Sequence, residues 1–189
     1  PDLVRRLLDA SVGTGAVPPS STSREDYVSL VERGGFPIAL AAPSGRARWR
    51  WIDDYVRLTL ERDVQELSKL RQAHALPLIL EKAAGQTAQI LNVSRLADAA
   101  GIDAKTARDY LRLLEAVFLL RLVPPWDRTL TSRTNARPKV HMLDTGVSAR
   151  LLRLTPEKLG RRDPVAMAEL GHLLETSVGG DPPKEASWT

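Results

Sequence analysis

Apolar residues recur at intervals of three and four along most of the chain. That period predicts helices joined by short connections, with strands only late in the sequence. The clearest stretch is residues 92–126, NVSRLADAAGIDAKTARDYLRLLEAVFLLRLVPPW. Asn92 or Ser94 offers a side-chain oxygen to the free N–H groups of a first turn. Leu96, Ala97 and Ala100 form its apolar stripe, and Gly101 can take the left-handed conformation that ends a helix. Ile102 can plug the angle to the next helix. Asp103 caps that helix, whose apolar positions are Ala107, Tyr110, Leu111 and Leu114. Residues 117–123 predict a strand, 127–138 a polar loop and 139–143 a second strand. Helix, glycine turn, helix, strand, loop, strand predicts a winged helix-turn-helix.

The flanking pattern is helical on both sides. Residues 2–10 carry Leu3, Val4, Leu7 and Leu8 on one side, and 11–23 read as a loop. Ser23 and Asp26 resemble a capping box for a helix that stops at Gly34-Gly35. Gly35-Phe36-Pro37 then makes a sharp connection, read as a helix stop rather than part of a site. Residues 49–70 give the longest helical pattern, with Ile52, Tyr55, Val56, Leu60, Val64, Leu67 and Leu70 in register. Its Glu61-Arg62-Asp63 reads as a solvated face with local ion pairs. Pro77 opens a helix over 78–84, and His74 stands before it without a second ligand. Residues 147–154 and 164–176 are helical. Ser177 and Gly179-Gly180-Asp181-Pro182-Pro183 interrupt the last helix. The expected class is therefore α+β, mainly α.

Composition changes this picture little. The 189 residues contain no cysteine, which excludes disulfides and thiolate metal sites and fits a cytoplasmic location. No apolar run approaches the roughly 20 residues that span a bilayer, and no basic-then-apolar signal segment opens the chain. It starts at Pro1 inside a helical pattern, so a part of a longer protein is expected. The dipeptide Gly-Lys is absent, so Gly13-Thr14-Gly15 is not a phosphate loop.

Several stretches together resemble the C-terminal, DUF4143-containing region of prokaryotic AAA+ type ATPases. They are Gly34-Gly35-Phe36-Pro37, Glu61-Arg62-Asp63, the Leu96-to-Glu115 pattern, Pro138-Lys139-Val140, Leu143-Asp144-Thr145-Gly146, and Gly171-His172-Leu173-Leu174-Glu175. The resemblance implies four segments. Residues 1–45 would be the tail of an ATPase or lid region, 46–91 a helical linker and 92–140 the winged helix. Residues 141–189 would begin an incomplete, restriction-endonuclease-like α/β domain. It also implies an ATPase core outside this chain, to which ATP and magnesium would belong. No cofactor and no metal is expected in the chain itself, and it is not expected to be an enzyme on its own.

Charge decides where a nucleic acid would be touched. The net charge is +4, and phosphate attraction dominates such affinity. In the second helix Lys105, Thr106, Arg108 and Arg112 are the candidate contacts, but Asp103, Asp109 and Glu115 cancel its cations. From Arg121 to Lys139 there are five basic residues against Asp127 alone. Arg128, Arg133, Arg137 and Lys139 are therefore expected to clasp double-stranded DNA through the wing. The other reading makes the winged helix a protein-interaction or regulatory module, coupled to the ATPase core, with its basic residues solvated. Asp144 and Glu175 could be remnants of a magnesium nuclease, which needs several carboxylates and a lysine. The simpler reading is a turn residue and an exposed helix residue. His141 and His172 do not form a zinc pattern.

Overall fold

Most helices here begin where a short polar side chain can hold the free N–H groups of the first turn. The computed structural model describes residues 21–64, 73–125 and 137–179. The expected helix over 2–10, residues 65–72 and most of the expected wing loop lie outside these.

Helix α1 (Arg24–Arg33) opens on the capping box: Ser23 Oγ accepts from the Asp26 N–H, and the Asp26 carboxylate accepts from the Ser23 N–H. A short turn, α2 (Pro37–Leu40), follows the glycines. Helix α3 (Gly45–Leu58) starts on Ser44, earlier than the expected 49, and continues as a π-helical turn, Thr59–Asp63. The apolar period hides that start, since Gly45-Arg46-Ala47-Arg48 has no large apolar residue. A 3-10 turn (Ala73–Ala75) leads into α4 (Leu76–Ala84), with Pro77 in its first turn.

Then come β1 (Gln89–Ile90), α5 (Val93–Ala100) and α6 (Ala104–Ala116). They are followed by β2 (Leu120–Val123) and β3 (Lys139–Met142). The strand expected from 117 begins only at Leu120. Phe118 has φ 57° and reverses the chain after α6, so Val117–Leu119 form the helix exit. Two antiparallel pairings give a sheet in the order β1-β3-β2, with Arg121 opposite His141 and Leu122 opposite Val140. Strand β1 is not visible in the hydrophobic pattern.

Three helices close the described chain: α7 (Thr145–Leu151), α8 (Pro156–Leu159) and α9 (Pro164–Gly179). Helix α9 runs through Ser177, where an interruption was expected. The Ser177 hydroxyl donates to the Leu174 carbonyl at 2.8 Å, a local bond that a serine makes without leaving the helix.

The described residues are mainly helical with one small antiparallel sheet. Two apolar clusters hold them. The larger joins α3, α4, α5, α6 and one sheet face through Ile52, Ile79, Leu80, Leu96, Leu111, Leu114 and Met142. The smaller joins α1, α7, α8 and α9 through Val28, Val31, Ala149, Leu159, Leu170 and Leu173. Leu152 packs against both. The larger cluster includes Ala39, Leu80, Leu96 and Val147, so it crosses each segment boundary suggested at 45, 91 and 140. No described helix is long and apolar enough to cross a membrane.

Candidate nucleic-acid interface

Helix α5 ends in two bonds typical of a glycine stop. The Gly101 N–H donates to Asp98 O at 3.2 Å and the Ile102 N–H to Ala97 O at 3.1 Å. Gly101 has φ 64° and ψ 31°, and Ile102 packs against the core. Asp103 then accepts from the Lys105 and Thr106 N–H groups, both at 2.9 Å, and from the Thr106 hydroxyl at 2.5 Å. These bonds, the Thr106 hydroxyl foremost, hold the Asp103 carboxyl below its usual range. Thr106 is thus engaged in the cap.

Leu96 and Ala97 of α5 and Ala107, Tyr110, Leu111 and Leu114 of α6 are buried. Burying that stripe turns the other side of α6 outward. Lys105, Arg108 and Arg112 are exposed. Arg112 spends its charge on Asp109 at 3.2 Å. The side chains of Lys105 and Arg108 have no hydrogen-bond or ion-pair partner among the described residues. Arg95, exposed on α5, is likewise without a side-chain partner, and the charge pattern of α6 alone did not single it out. Glu115 is partly buried: its carboxylate accepts from the Leu122 N–H at 2.8 Å and seats β2 against the helix.

The wing residues divide. Arg128 and Arg133 lie outside the described residues. Arg137 is exposed just before β3. Lys139, the first residue of β3, is tied to Glu175 of α9 at 2.6 Å. That contact, mainly its hydrogen bond, lowers the Glu175 pKa.

Asp144 and Glu175 have separate partners. Asp144 caps α7 through the Val147 N–H at 2.9 Å and reaches back to the Gly35 N–H at 2.7 Å. Gly34 has φ 71° and ψ −164°, and a Cβ there would run into the Asp144 carboxylate and, at 2.6 Å, the Gly146 nitrogen. A Cβ on Gly146 would sit 2.6 Å from Arg33 O. The two glycine-bearing motifs therefore clasp each other. Among the described residues no group of three or more His, Asp or Glu is placed to hold a metal ion.

Two further features escaped the sequence reading. Glu32 of α1 is 3% exposed and accepts from Arg48 at 2.8 Å and from the Trp49 indole at 3.1 Å. A cleft of about 280 Å³ lies beside the π-helical turn, with Ile52, Val56, Leu60 and Pro77 among its lining residues. Asp53 and Arg150, paired at 2.6 Å, and Glu61, paired with Arg57 at 3.0 Å, also line it. Both features need residues that lie far apart in sequence.

Comparison with known proteins corrects the resemblance to the DUF4143-containing AAA+ ATPases. The family whose model matches residues 24–158 is described as a domain of unknown function, DUF8612. The uncharacterized proteins Mb2031c of Mycobacterium bovis and Rv2008c of Mycobacterium tuberculosis are each 30% identical over 132 residues. Neither name points to an ATPase. The aligned part covers 70% of this chain and 30% of each relative. No solved structure matches the chain. The glycine motifs that carried the resemblance serve here as a backbone clasp, a demand of packing that is not specific to one family. With its match over residues 24–158, the chain belongs to the DUF8612 family.

Proposed function

We propose that residues 76–142 form a winged helix that contacts double-stranded nucleic acid without catalysing a reaction on it. The order α4, β1, α5, α6, β2, β3 and the sheet order β1-β3-β2 support the winged-helix reading. The observation that carries the contact is the free charge on the outward face of α6. Lys105 and Arg108 are exposed and without a side-chain partner among the described residues, with Arg95 on the neighbouring helix and Arg137 at the root of the loop. Cations left unpaired on a surface helix are available to phosphates, and an arginine near a helix start can also reach a base edge. In this reading α6 and the wing share the work, whereas charge counting alone put most of it on the wing.

Fluorescence anisotropy with a labelled duplex, titrated with salt, tests this. Replacing Lys105 and Arg108 together with alanine should weaken binding on every sequence and reduce the salt slope by about 2. The Arg128, Arg133 and Arg137 triple alanine variant should lower it further. No binding at low salt, or the same affinity and slope in both variants, rejects the reading.

The second reading, a protein-contact module, is favoured by a different observation. Phe118 is 75% exposed, Ile38 65% and Leu30 63%. In that case substitutions at these apolar positions, and not at Lys105 or Arg108, would abolish association with a partner.

A further inference from the structure

The face of the sheet turned away from the larger apolar cluster carries Lys139, His141 and Arg121 beside Ile90 and Val123, and the end of α9 packs against its His141 side. Val140 and Met142 point into that cluster, so Lys139 and His141 alternate to the other side. Arg121, directly opposite His141, shares that side.

The end of α9 fastens there at three points. Glu175 takes Lys139 at 2.6 Å. The Thr176 and Thr87 hydroxyls share a buried hydrogen bond of 2.8 Å, and Thr87 Oγ1 also accepts from the Met142 N–H at 3.1 Å. Gly179 lies over the imidazole of His141: a Cβ there would be 3.3 Å from Cε1 and 3.4 Å from Nδ1. His141 is 6% exposed, and its Nδ1 is buried without a hydrogen-bond partner among the described residues. One Nη of Arg121 is also buried and, among the described residues, unpartnered.

This arrangement suits a neutral imidazole and not a charged one. A protonated ring carries an N–H on both nitrogens, and among the described residues Nδ1 has no acceptor to receive it. The charged groups acting on His141 are Glu175 and Lys139. Arg121 stands across the strand, and His172 of α9 acts on Glu175. The larger-cluster face of β3 meets α4 and α7 through apolar side chains. A proton on His141 therefore adds a third cation to Lys139 and Arg121, with Glu175 the one carboxylate among the described residues that acts on it. Burial accordingly outweighs the attraction of Glu175 and lowers the His141 pKa.

We propose that α9 is an acid-released latch on the back of the sheet, closed while His141 is neutral and opened when it takes up a proton. Opening parts Glu175 from Lys139 and returns that lysine to the basic root of the wing. The latch stands on the packing of α9 and does not depend on nucleic-acid binding.

The sign follows from linkage. The docked state binds the proton less well than the undocked state, so docking is complete above the ordinary histidine pKa. It weakens as pH falls below that value, by up to about tenfold per pH unit for one coupled proton. Amide hydrogen exchange on the whole chain at about pH 7.5 and about pH 5.5, corrected for the intrinsic rate, reads this directly. Residues 170–179 should lose about tenfold protection at the lower pH while α5 and α6 keep theirs. His141→Gln should retain α9 protection at both values, and His172→Gln should respond like the wild type. Equal protection of α9 at both pH values overturns the latch. So does a loss that spreads evenly over the chain, or one abolished by His172→Gln instead. Should His141→Gln not fold, the His141 C2-proton resonance of the wild type decides. Its midpoint must coincide with the release of α9, and a midpoint unrelated to release overturns the proposal.

Discussion

Glu32 shows how one carboxylate can be structural while looking like surface charge. It lies in an exposed-looking run, Val31-Glu32-Arg33, yet its side chain is 2% exposed and faces Arg48, itself 15% exposed. Two guanidinium bonds and the Trp49 indole satisfy it. Removing one partner of such a pair leaves the other charge without compensation. Glu32→Ala should cost about 3 kcal/mol by urea denaturation, and adding Arg48→Met should recover part of that. A Glu32→Ala loss below the usual scatter of surface substitutions would show that water replaces the carboxylate. Gly34 makes a similar point through the backbone. Its φ of 71° and ψ of −164° fall in a region that essentially only glycine occupies, costing other residues about 1–3 kcal/mol. Gly34→Ala should exceed that range because its Cβ also meets Asp144 and Gly146. Gly101→Ala, with open space around its Cβ, should cost only about 1–2 kcal/mol. Equal losses at the two glycines would remove the case for a close contact at Gly34.

Helix α6 separates what stabilises an element from what it offers outside. Leu111 and Leu114 are 1% and 0% exposed, so Leu111→Ala should cost about 2–5 kcal/mol. Lys105→Ala and Arg108→Ala should stay within about 0.5 kcal/mol, as surface substitutions do. Thermal denaturation beside duplex titration distinguishes the two sets, and a large stability loss at Lys105 or Arg108 would mean a packing role. The Asp103 cap adds a pH signature. Its carboxyl is lowered by Thr106 and the backbone, so its contribution is present above the unfolded carboxylate pKa. It is lost as pH falls through the lower, folded value. Asp103→Asn should flatten the acid limb of the stability curve, and an unchanged limb would show that the cap carries no such linkage. The caps were legible in the sequence because each joins neighbours: Ser23 with Asp26, Asn92 with Arg95, and Asp103 with Thr106. Strand β1 was not, since Gln89–Ile90 is too short to alternate and depends on β3. The outward charge of α6 was half legible. Counting residues made the helix neutral, but no count reveals that Arg112 pairs with Asp109 while Asp103 sits in the cap and Glu115 against β2, which leaves Lys105 and Arg108 without a side-chain partner among the described residues.

At the scale of the whole molecule, distance along the chain is what hid the joints. Asp144 bonds Gly35 across 109 residues and Thr87 meets Thr176 across 89. Each end reads by itself as an ordinary turn or helix residue. Together they tie α1 to α7 and α9 to the sheet. Asp144 is the sharpest test. One oxygen caps α7 and the other receives the Gly35 N–H. Asparagine keeps the first and turns an amide donor toward the second, so Asp144→Asn should cost about 1–3 kcal/mol. Alanine loses both bonds and the cap and should cost about 2–4 kcal/mol. Serine, too short to reach Gly35 while capping, should fall between them. Because Leu152 joins the clusters, tryptophan fluorescence and far-ultraviolet dichroism should still show one coincident urea transition in every variant. A split transition in Asp144→Ala would mean that the clasp, and not the shared packing, makes the two clusters cooperate. Magnesium offers the complementary arm. If Asp144 serves the clasp, the ion should leave the wild-type midpoint unmoved, whereas a carboxylate poised for metal would gain stability from it by mass action.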